Sequence, residues 1–221
     1  LAPGLGSLLG LVLFLGAMAI SGWWPMAVAL GLTGSLVWWF AGRTDAGFAA
    51  TLMGPALGVA KIPIATPLLL GFWLTPLRAA ALGAYSAIVT LLVSAASGGR
   101  APYLGVDWRF FADPLGSRVI AGSVRTLLSE PSPLVIVATW AAAAAIMSLA
   151  CSRGTRLSSF VGAGLGGATI WGGYTLATLL SFALNGSMTW SGQGLLPYLS
   201  ASLILVVLVG AAGAPPRAEE E

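Results

Sequence analysis

Residues 157–216 read LSSFVGAGLGGATIWGGYTLATLLSFALNGSMTWSGQGLLPYLSASLILVVLVGAAGAPP, sixty positions without one Asp, Glu, Lys or Arg. A water-facing surface needs charged groups every few residues, and soluble proteins carry about 25% of them. This chain carries 8%. Such a run suits a hydrocarbon solvent, in which a spanning helix takes about 20 mostly apolar residues. The other end repeats the pattern: 42 residues pass before the first charge, Arg43. Thirty glycines and nine tryptophans agree, because glycine lets membrane helices approach closely and tryptophan anchors at headgroup depth. The reading is an all-α, polytopic transmembrane helical bundle. It forms one membrane domain over 1–214, with a polar tail over 215–221.

Outward from that stretch, six full spans are expected: 5–20, 26–41, 77–93, 134–150, 158–184 and 195–213. Ser21-Gly22-Trp23-Trp24-Pro25 reads as a tight aromatic turn, and Trp38-Trp39 as part of the opposite aromatic belt. Asn185 to Gly194 is an uncharged turn.

Residues 46–75 are different. Lys61 sits near their centre, surrounded by Pro55, Pro63 and Pro67. Each proline removes a backbone donor and disturbs the preceding turn. About 14 residues lie on either side of Lys61, too few to cross a core about 30 Å thick. The expectation is a broken, re-entrant hairpin of two half-helices. Irregular backbone at that depth must be covered by protein or line a cavity. Charges inside membranes are costly and often functional. Lys61 is therefore a candidate ligand-binding residue, together with Trp38 and Trp73. The competing explanation is a lysine snorkelling to headgroups from a shallow hairpin tip.

The polar segment 97–132 separates two spans. Within 114–130, Ile120, Val124, Leu127 and Leu128 share one helical face, and Arg118 and Arg125 the other. This predicts an amphipathic interfacial helix, or a helix packed on its own spans. Asp107, Asp113 and Glu130 lie beside arginines there, as in loop ion pairs. If 46–75 folds back, Arg43, Arg78, Arg153, Arg156 and Arg217 share one side. The positive-inside rule then puts both termini of a multi-pass cell-membrane protein in the cytoplasm. The four arginines of the long loop oppose that bias.

Several chemistries are excluded by composition. The chain has one cysteine, Cys151, and no histidine. No internal disulfide can form, and Ser-His-Asp, Cys-His and His-Glu-x-x-His sites cannot be assembled. No metal site and no cofactor are expected. Scattered single basic residues argue against nucleic acid. Gly162-Ala163-Gly164-Leu165-Gly166-Gly167 matches the dinucleotide pattern G-x-G-x-x-G, but no acid follows at the required distance. Small residues four apart, Gly162 with Gly166 and Ala163 with Gly167, read instead as a helix-packing face. The expected partners are the lipid bilayer and either a second copy held through helices or another membrane protein. No basic segment of the kind that opens a signal peptide precedes the first apolar run, and we read the chain as a fragment, or as a domain of a longer protein.

Particular strings carry a resemblance: Leu36-Val37-Trp38-Trp39-Phe40-Ala41-Gly42-Arg43-Thr44-Asp45-Ala46, then Leu52 to Gly58, Ala65 to Leu74, Pro76 to Ala84, and Ser152-Arg153-Gly154-Thr155-Arg156. Together they resemble the C-terminal multi-span membrane region of serine/threonine protein kinases from high-GC Gram-positive bacteria. The resemblance implies a non-catalytic domain that anchors or regulates a cytoplasmic kinase domain placed before Leu1. The kinase glycine loop, strand lysine, His-Arg-Asp loop and Asp-Phe-Gly are absent from this sequence, so no catalytic residue carries over. The alternative is a small-molecule binder or transporter, such as the substrate-binding subunit of a vitamin uptake system. Its size suits six spans, and broken helices near mid-depth suit transport.

Overall fold

The computed structural model describes residues 62–96, 132–152, 154–185 and 195–213, together with Leu57 and short runs between Leu9 and Trp39. All its described elements are helical, with no strand among the described residues. A π-helical turn spans Ala19–Trp23. Five α-helices follow: α1 Ala65–Trp73, α2 Pro76–Ala96, α3 Ser132–Cys151, α4 Arg156–Asn185 and α5 Leu195–Ala212. Helices α3, α4 and α5 are long and apolar enough to cross a membrane, whereas the apolar stretch Pro76–Leu91 of α2 is shorter. Lys61, Trp38, the connection 43–45, the segment 97–131 with Arg118 and Arg125, the turn 186–194 and the tail lie outside the described residues.

Proline sets several helix starts. It occupies the first turn of α1 (Pro67), α2 (Pro76), α3 (Pro133) and α5 (Pro197), where its missing N–H would have no intrahelical partner. α4 starts differently: Thr155 Oγ1 accepts the Ser158 N–H at 3.1 Å, a side-chain N-cap. Two glycines supply left-handed backbone where the chain bends. Gly22 has φ 88° inside the turn of the aromatic segment, and Gly154 has φ 67° between α3 and α4.

Helix does not run unbroken into α1. Ile62 is non-helical, Pro63 and Ile64 form a turn, and only then does α1 begin. The Ile62 N–H bonds the Leu57 carbonyl at 2.9 Å, the six-to-one bond that closes helix C-termini. α1 has nine residues, a length of about 14 Å, less than half a bilayer core. It ends at Leu74, which is extended at φ −111°, ψ 159°. Pro76 disfavours helical backbone at the residue before it, so the chain turns through Thr75 and enters α2.

The contacts fix the directions. Met147 and Ala150 approach Gly162, Ala143 approaches Gly166, and Thr139 approaches Gly173, so α3 and α4 are antiparallel. Leu203 meets Gly167 and Ser159 meets Gly210, so α5 is antiparallel to α4. Gly71 lies against Ala144 and Met147, and Ser148 bonds Leu74, so α1 runs with α3. α2 turns back, with Gly83 at Trp140 and Ala144. The Leu74–Thr75 turn, the 152–155 turn and the end of α5 therefore gather at one end of the bundle. α1 is buried from Ala65 to Phe72 and touches all four other α-helices.

Candidate functional site

The densest arrangement in the described residues is the seat that α3 provides for its neighbours. Met147 and Trp140 of α3 are both fully buried. A Cβ added at Gly162 would stand 2.8 Å from Met147 Sδ and 3.0 Å from Ala150 Cβ. At Gly83 it would stand 3.0 Å from the Trp140 carbonyl oxygen. At Gly71 it would overlap the Ala144 carbonyl, and at Gly173 the Thr139 side chain. Three helices thus press glycines onto one, and backbone meets backbone as small residues allow in a membrane. Gly166 faces Leu68 of α1, Gly167 faces Leu203 of α5, and Ala163 is buried between them.

Polar atoms inside this seat are mostly paired. Trp140 Nε1–H donates to Tyr174 Oη at 3.1 Å, joining α3 to α4. The Ser148 hydroxyl donates to the Leu74 carbonyl, which lies at the break between α1 and α2. Thr90, Thr139, Thr169, Thr175 and Thr178 each donate to the carbonyl four residues back in their own helix, a common resolution for hydroxyls in apolar surroundings. Among the described residues, three buried hydroxyls find no partner: Thr66 in α1, Ser86 in α2 and Ser202 in α5. Cys151 is buried, with its thiol 3.9 Å from the Ser159 hydroxyl.

Of the ligand-binding candidates, only Trp73 is described. It ends α1, half-buried, with its ring edge-on to Phe72 at 6.2 Å and 78° between planes. It packs against the buried cluster of Leu70, Leu74, Ala79, Leu82 and Ala144. Lys61 precedes Ile62, at the opposite end of α1 in sequence, and a helix rise of about 12 Å separates Ala65 from Trp73. Trp171 is 54% exposed and Tyr174 1% exposed, so the two aromatics of one helix part company. Among the described residues no three His, Cys, Asp or Glu side chains gather as a metal site would need, and the described residues include no Asp or Glu.

Sequence reasoning did not single out Gly71, Gly83 and Gly173, the Trp140–Tyr174 bond or the Ser148 contact. The run Ala141–Ala145 in α3 was the available signal: five methyl side chains leave a helix thin enough for close approach on several sides. No family model matches this chain, and no curated protein or solved structure matches it.

Proposed function

We propose that this chain is a non-catalytic, multi-pass membrane domain that anchors and regulates a serine/threonine kinase domain lying before Leu1 in the cytoplasm. Six full spans and the folded-back 46–75 segment compose it, with both termini cytoplasmic. The observation that supports the membrane role is the outer surface of α3, α4 and α5. Leu149, Leu165, Leu179, Leu196 and Leu208 are each more than half exposed, on helices long and apolar enough to cross a membrane, and an exposed apolar surface of this kind suits contact with lipid. The orientation is supported by the bundle end at which α2 and α4 start. Arg78 and Arg156 belong to those starts, and in sequence Arg153 lies between α3 and α4 and Arg217 beyond α5. The kinase assignment rests on the sequence resemblance.

Two experiments test the parts separately. The full reading frame should encode a kinase domain directly upstream of Leu1, and a frame opening near Leu1 would sink that part. Orientation is tested by single cysteines in a Cys151→Ser background. An impermeant maleimide applied outside intact cells should label Ser117→Cys and spare Thr155→Cys; labelling of position 155 would overturn the topology.

The break before α1 favours a second reading, a small-molecule binder of the vitamin-uptake kind. Broken helices enclosed by a bundle are the usual scaffold of transport sites. Mass spectrometry of the gently purified domain decides it, since a retained metabolite lost in Lys61→Met would favour this second reading over the first.

A further inference from the structure

We draw no further inference here: the strongest candidate, the start of the buried half-helix α1 with the unpartnered Thr66 hydroxyl in its first turn, carries nothing, because the Ala65 and Thr66 N–H groups already bond the carbonyls of Ile62 and Pro63 and Pro63 and Pro67 have no N–H to offer a ligand.

Discussion

A methyl group added at Gly166 runs into the Leu68 side chain, whereas one added at Gly164, two positions earlier on the same helix, meets nothing within 4 Å. The pair makes a controlled comparison. Gly166→Leu forces α1 away from α4 and should cost about 1–3 kcal/mol or more, the range for overpacking. Gly164→Leu should leave stability within about 0.5 kcal/mol. Thermal unfolding of the purified domain in mild detergent reads both, and equal losses would show that Gly166 does not pack on Leu68. The buried hydroxyls divide in the same way. Ser148→Ala removes the hydroxyl that donates to the Leu74 carbonyl and should cost about 0.5–1.5 kcal/mol. Thr66→Val removes a hydroxyl that has no partner, and should be neutral or stabilising. For Trp140 and Tyr174, a double-mutant cycle with Phe at each position should give a coupling of about 0.6 kcal/mol, typical of hydrogen bonds between membrane helices.

At the scale of elements, the boundaries of α3, α4 and α5 were legible in the sequence to within about two residues, because proline, arginine and glycine punctuate otherwise uniform apolar text. Which faces meet was less legible. In a soluble helix the apolar stripe marks the core, but here Leu68 is buried and Leu165 half exposed, and hydropathy cannot separate them. Small residues are a better guide in lipid, yet an ambiguous one: Gly162 and Gly166 face neighbours, while Gly164 and Gly172 face open space on the same helix. Of the site proposed from Lys61, Trp38 and Trp73, the structure describes only Trp73. The α3–α4 turn offers a test at this scale. Gly154 has φ 67°, a conformation that costs an ordinary L-residue about 1–2 kcal/mol. Gly154→Val should lower the unfolding midpoint, and Gly154→Asn, which tolerates that region, should recover most of the loss.

The whole molecule carries its own reporter. Cys151 is the single cysteine in the chain and is buried beside Ser159. A small maleimide should react slowly with the folded domain and fast after denaturation in SDS, and the slow rate should rise in Gly166→Leu by the same factor as the loss of stability. Fast labelling of the native domain would mean that α3 and α4 part readily at this end. The hub position of α3 has a further consequence, for biosynthesis. α1 and α2 leave the ribosome first, but the backbone they lean on, Ala144 and Trp140, belongs to a helix made after the whole 97–131 segment. Until that later helix inserts, Gly71 and Gly83 lack the backbone they pack against. A chain truncated before Ser132 should therefore be captured by membrane chaperones or degraded, while one truncated after Cys151 should persist.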